Sequence, residues 1–242
     1  MAEAEQLLLI LIISAAGGFI QRVTGFGFGI FVMLFFPYII ETHTSAAAIS
    51  TLISCTISSY NSIRYRKDIP YKKIIPLVLA ALVTIPIAVR FSVFVSGDVF
   101  KKILGVVLVV LSVYFMFFSS RIKIKASVKN GLIAGGTSGV LTGLFSTGGP
   151  PVVLYLMNAF TDNAMYFAST QFYFGLTGIY STLVRFFNGI ITLEVIVCFV
   201  VGFAGSLIGN FVGKHIFEKL NTQRLRQLVY FGMIVSGIIM LF

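Results

Sequence analysis

An all-α membrane protein with several spans is the fold class this chain predicts, and three observations predict it. Hydrophobic residues make up 57% of the 242 positions and charged residues only 11%, less than half the share usual in a soluble domain. Apolar runs of about 20 residues, each long enough to cross a bilayer, recur from end to end. The net charge of +10 fits the same class. Lys and Arg gather in short stretches between the runs, as membrane topology demands, so no nucleic-acid partner is expected. No hydrophilic stretch is long enough for a soluble domain, which leaves one membrane domain over residues 1–242. Cys55 and Cys198 lie inside apolar runs and suggest no disulfide framework. The opening M-A-E-A-E-Q lacks a basic region, so no cleaved signal peptide is expected.

The first run, Gln6 to about Ile40, is too long for one straight span. Its stretch G-G-F-I-Q-R-V-T-G-F-G-F-G, Gly17 to Gly29, predicts a helix, a glycine-rich break and a second helix. Spans follow at about Thr44–Ser62, Ile74–Val95 and Val99–Ser119. After the basic linker R-I-K-I-K-A-S-V-K, Arg121 to Lys129, the pattern restarts. Asn130–Ala159 is long and broken, and about Ala164–Phe187, Thr192–Val212 and Arg224–Phe242 come after it. The result is about eight transmembrane helices in two homologous four-helix halves, residues 6–120 and 130–242. The first helix of each half is broken by a glycine-rich segment.

The halves read as copies. Adding 121 to a position pairs Gly18 with Gly139, Gly27 with Gly148, Glu41 with Asp162, Arg64 with Arg185 and Ile69 with Ile190. Past a short insertion the offset is 124, pairing Arg90 with Lys214 and Lys102 with Arg226. Four full spans per half make the repeats parallel; broken segments that re-enter instead of crossing make them inverted. With eight full crossings, basic residues divide ten against seven, and the heavier side places both termini in the cytoplasm.

The second break carries the strongest functional signal. In G-V-L-T-G-L-F-S-T-G-G-P-P, Gly139 to Pro151, Gly148 and Gly149 loosen the backbone, while Pro150 and Pro151 can only open a new helix. Ser146 and Thr147 are placed to cap that helix or to donate hydroxyl hydrogen bonds. Broken backbone within a bilayer persists only where it is buried in protein or lines a cavity. A helix N-terminus there suits an anion, and interrupted segments at matching places in two halves point to a transporter's binding site. The expected site therefore combines Gln21, Arg22, Thr24, Gly25, Phe26 and Gly27 with Ser146, Thr147, Gly148, Gly149 and Pro150. Gln171, in the span after the second break, joins them, and the two breaks are expected to meet near the bilayer midplane.

Arg22 is the one Lys or Arg that falls well inside a predicted span, about 22 Å from Leu7 at 1.5 Å per residue. Arg64 and Arg185 occupy equivalent span ends and read as interfacial anchors. Asp162 with Asn163 reads as a helix cap, and Gly202, Gly205 and Gly209 as close-packing positions. All eight acids fall at termini, loops or span ends. His43 and His215 fall in loops, with no metal-ligand spacing and no nucleophile–base set in the spans, so neither an enzyme nor a cofactor is expected. The expected partners are a small anion and membrane lipid, with a homodimer left open.

The glycine-rich pair, G-F-I-Q-R-V-T-G-F-G-F-G in the first half and G-V-L-T-G-L-F-S-T-G-G-P-P in the second, resembles the TauE/SafE sulfite-exporter family, which includes 4-toluene sulfonate uptake permeases. Length, eight spans, duplicated halves and both signatures agree across the chain. The resemblance implies a plasma-membrane transporter of small sulfur-containing or organic anions such as sulfite, sulfoacetate or sulfonates. A small-anion channel using the same site is the alternative.

Overall fold

The computed structural model describes residues 3–24, 26–118, 126–216 and 222–241. Gly25 and the Arg121–Lys125 part of the linker lie outside the described residues, as does the side chain of Thr24. The described chain is helical: α1 (Ala4–Thr24), α2 (Phe28–Val32), α3 (Phe36–Ile39), α4 (His43–Arg64), α5 (Tyr71–Phe94), α6 (Gly97–Val113), α7 (Val128–Phe145), α8 (Gly149–Ala159), α9 (Asn163–Phe187), α10 (Leu193–Ile216) and α11 (Thr222–Ile239). A π-helical turn, Tyr114–Phe118, extends α6. Among the described residues, four stretches are long and apolar enough to cross a membrane: Ala4–Arg22, Tyr71–Phe94, Gly97–Phe117 and Leu193–His215. Both histidines, expected in loops, sit in the terminal turns of α4 and α10, because these helices run past their apolar cores.

Helix ends follow local chemistry. Asp162 caps α9 as expected, its carboxylate accepting from the amides of Ala164 (2.7 Å) and Met165 (2.9 Å). At the other end Gly189, at φ 72°, takes the left-handed conformation that a glycine adopts without strain. The amide of Gly189 then bonds the carbonyl of Phe186, and that of Ile190 the carbonyl of Arg185, both at 3.0 Å. This paired closure is a Schellman cap, and it fixes Arg185 in the last turn.

The chain divides into two compact units, each drawing on both sequence halves. Unit 1 is Met1–Ser50, Val95–Arg121 and Ile191–Phe242; unit 2 is Thr51–Phe94 and Ile122–Ile190. In unit 1, α1 and α10 run parallel. Gly205 lies on the Leu11 carbonyl, Gly209 on that of Ala15 and Gly213 on the stem of Arg22, so Gly205 and Gly209 are packing positions as expected. Helices α6 and α11 run antiparallel: Gly105 faces Gly237, and the Phe115 ring stacks on Tyr230 at 5.2 Å.

In unit 2, α5 and α7 run parallel. Gly131, Gly135, Gly139 and Gly143 form a stripe, four residues apart, that lets α7 meet Leu77, Ala81 and Ala88 at backbone distance. A side chain at Gly135, Gly139 or Gly143 would collide with α5, the small-residue packing that membrane helices use. Helices α4 and α9 run antiparallel, with Ser59 at Gly175 and Cys55 at Gly178.

Both broken segments double back. In unit 1 the Gln6 amide donates to the carbonyl of Ile39 at 3.0 Å, and Gly17 abuts the side chains of Phe28 and Val32. The arm made of α2 and α3 therefore returns along α1. In unit 2 the Ser138 hydroxyl donates to the Gly148 carbonyl at 2.5 Å. The Tyr155 hydroxyl reaches the Ser127 carbonyl, at the head of α7, at 3.3 Å. So α8 returns along α7. The sequence reading counted each broken segment as one crossing; each is instead a hairpin.

Candidate functional site

The second break is built from the way α7 stops. Ser146 sits at φ 59°, ψ 23°, the one positive φ outside glycine among the described residues. L residues occupy that region at a cost. Its amide turns back to the Thr142 carbonyl at 3.0 Å, and that of Thr147 to the Leu141 carbonyl at 3.3 Å. Ser146 therefore closes α7, and the expectation that it or Thr147 caps the following helix is not met. Gly148 is the N-cap of α8, with no side-chain cap bond. The Ser146 hydroxyl is engaged elsewhere, accepting from Thr51 Oγ1 at 3.0 Å. Pro150 stands in the first turn of α8 as expected, followed by Pro151. Neither carries an N–H, so this helix start offers fewer donors than most.

Unit 2 carries a polar interior along α9 and α4. On α9 the residues Thr170, Tyr173, Thr177, Ser181 and Arg185 recur at helical spacing, and each is at most 1% exposed. Thr170 and Thr177 bond back to their own helix at 2.7 Å, the usual fate of a hydroxyl in an apolar helix. Others have no protein partner: the side-chain oxygens of Ser58, Ser59, Thr147, Ser169 and Ser181 are buried without a hydrogen bond. Most buried polar atoms in native proteins are paired, so such a concentration marks a place where water or a polar ligand belongs.

Arg185 was expected at the membrane interface and is instead fully buried. Its Nη2 donates to the carbonyls of Thr142 (3.1 Å) and Gly143 (2.7 Å) in the last turn of α7. A cation suits the carbonyl end of a helix, and the Schellman cap of α9 holds the side chain in reach. Nε and Nη1 are buried without a partner, and no Asp or Glu among the described residues is buried. Its sequence counterpart, Arg64, is exposed, with its guanidinium 5.8 Å from the Tyr65 ring centre, as an interfacial anchor would be.

The other predicted residues fall as follows. Gln171 is 1% exposed, and its Oε1 accepts from Asn61 Nδ2 at 3.2 Å. Thr51, which holds Ser146, lies ten residues before Asn61 on α4, about 15 Å away along the axis. The structure thus does not bring Gln171 to the break.

In unit 1, Gln21 is buried with its Oε1 unpartnered, whereas Arg22 is exposed on the last turn of α1. Phe26 packs 5.8 Å from Phe115, and Gly27, at φ 100°, starts α2. Sequence reasoning missed Ser138, Thr51, Asn61 and Ser181 and misassigned Arg185. The available signal was the polar stripe at four-residue spacing on α9.

Among the described residues, no three His, Cys, Asp or Glu side chains group as metal ligands would. Searches of curated proteins and of solved structures returned no match. A family model does match, described as "Sulfite exporter TauE/SafE" and covering residues 9–240. With almost the whole length matched, two hairpins at the glycine-rich signatures and helices fit to cross a bilayer, this membrane protein belongs to the sulfite exporter TauE/SafE family.

Proposed function

We propose that this protein carries small sulfur-containing anions, such as sulfite, sulfoacetate or organosulfonates, outward across the plasma membrane. The substrate passes the turn at Ser146–Pro150. The observation that carries this reading is the buried polar interior of unit 2, where the unpaired hydroxyl of Thr147 and the unpaired donors of Arg185 lie beside a break in the backbone. Family membership supplies the sulfur-anion class. Counting about 1.5 Å per residue from Ser127 puts Ser138, and with it Gly148, about 16 Å along α7. That is near the middle of a hydrocarbon core about 30 Å thick. Gln21, Arg22, Thr24, Gly25, Phe26 and Gly27 serve the corresponding turn of unit 1.

Two inverted halves complete the reading. Each half is a hairpin followed by three crossing helices, α4 to α6 and α9 to α11. The element ends support the repeat: α1 ends at Thr24 and α7 at Phe145, while α4 spans His43–Arg64 and α9 Asn163–Phe187. An odd number of crossings per half turns the second half over, which accords with the equivalent helices α4 and α9, and α6 and α11, running antiparallel. The regrouped charges support one orientation. One face collects five basic residues from Arg64 to Lys73, four from Arg121 to Lys129 and four from Lys214 to Arg226. The other collects Arg90, Lys101 and Lys102. Positive charge marks the cytoplasmic side, so both termini face outward, opposite to the orientation that eight crossings imply.

Reconstituted liposomes test the function. Saturable transport of labelled sulfite or a sulfonate, accelerated by unlabelled substrate on the far side, is the expected result. Transport without saturation or counterflow supports the channel, and no flux of any such anion overturns the reading.

A further inference from the structure

Arg185 offers more than a helix cap. A guanidinium has five N–H donors, and the two carbonyl bonds, to Thr142 and Gly143, both start from Nη2. The Nε–H and both hydrogens of Nη1 have no partner, although the residue is 0% exposed. A charge enclosed in a bilayer faces a cavity, a counter-ion or a substrate. The facing elements supply no counter-ion, since no carboxylate among the described residues is buried. Ser181 stands one turn earlier on the same face of α9, fully buried with its hydroxyl unpaired. Thr142 and Gly143 lie about 22–24 Å along α7 from Ser127.

We infer that Arg185 is the charge-pairing residue of the anion site. Within the sulfur-anion class proposed above, the site favours monovalent oxyanions, a monosulfonate or hydrogensulfite, over dianions such as doubly ionised sulfite or sulfoacetate. This deepens the transport reading and rests on it. The carbonyls of α7 position the guanidinium by holding one nitrogen, and the remaining donors with the Ser181 hydroxyl receive the oxygens of an S–O group. One fixed cation neutralises one negative charge. A second charge would stay uncompensated in a medium of low polarity, which is the unfavourable case for a buried ion. The start of α8 adds about half a charge at most, and Pro150 and Pro151 remove donors from it.

The test uses purified full-length protein and two probes of fixed charge, methanesulfonate and sulfate, at equal ionic strength. Binding is read by thermal shift and titration calorimetry. Wild type should bind methanesulfonate saturably and sulfate at least about 10-fold more weakly. Arg185→Gln should weaken methanesulfonate binding by about 10–100-fold, the loss of a charge-assisted hydrogen bond, and Arg185→Lys should fall between. Wild-type affinity in Arg185→Gln, or equal affinity of wild type for both probes, overturns the inference while transport stands. Should neither variant fold, the charge preference of wild type decides alone. Wild type that binds neither probe overturns the inference. If sulfite and sulfonate fluxes are absent as well, the transport reading falls with it.

Discussion

The hydroxyl of Ser138 donates to the carbonyl of Gly148 at 2.5 Å, closing ten residues of chain into a loop across the break. The bond satisfies a buried carbonyl at the mouth of α8. Ser138→Ala leaves that acceptor buried and unpaired, at a cost of about 1–3 kcal/mol. A lowered thermal midpoint is expected for Ser138→Ala, with Ser138→Thr closer to wild type. Equal midpoints for all three proteins would show that the bond does not hold the turn.

Thr147 separates stability from function. Its hydroxyl is buried with no protein partner, so replacing it by a methyl of similar shape is neutral or stabilising. Thr147→Val should therefore melt at or above the wild-type temperature and yet transport with a higher KM. A variant that transports like wild type would remove Thr147 from the substrate path.

Topology can be decided by labelling. With each glycine-rich segment a hairpin, single cysteines at residue 3 and near residue 241 should react with an impermeant maleimide from outside intact cells. One at Lys67 should react only after lysis. Labelling of all three positions from the same side would restore eight full crossings and parallel halves.

Packing glycines can be set against a free one. A side chain at Gly209 would run into the Ala15 carbonyl, whereas at Gly232 nothing lies within 4 Å. Gly209→Leu should lower the yield of monodisperse protein sharply, and Gly232→Leu should not. Equal yields would argue against close contact of α1 with α10.

Driving force follows from the acids. Proton-coupled carriers keep an ionisable Asp, Glu or His in the membrane, and no described carboxylate here is buried. Efflux of a permanently charged sulfonate should follow the membrane potential, about 2.3 kcal/mol per charge per 100 mV. At zero potential it should ignore a pH gradient. Efflux driven by pH alone would place a proton carrier in the path.

Much of this was legible because it is local. Asp162 two residues ahead of Ala164 is a cap wherever it occurs, and apolar runs with small-residue spacing announce membrane helices before any partner is known. What was not legible depends on tertiary geometry. The returning arms of both hairpins are as apolar as the helices they retrace, so composition cannot distinguish a U-turn from a crossing. Arg185 stands in the last turn of its helix, where sequence alone suggests an interface. Only the packing of α7 against α9 encloses it. Arg22, expected well inside a span, differs for the opposite reason: α1 runs far enough to bring it to an exposed last turn.

The pairing of α1 with α10 also bears on biosynthesis. Ala15 packs on Gly209, and the ribosome makes about 190 residues between the two. At about 5–20 residues per second, α1 spends roughly 10–40 s in the membrane before its partner emerges, its small-residue face open to lipid or to a chaperone. Helix α7 has no such delay, because α5 has already left the ribosome when it appears. Unit 2 can thus assemble while synthesis continues, and unit 1 only near its end. A nascent chain stalled after residue 190 should hold a protease-resistant α5–α7 pair beside an unprotected α1.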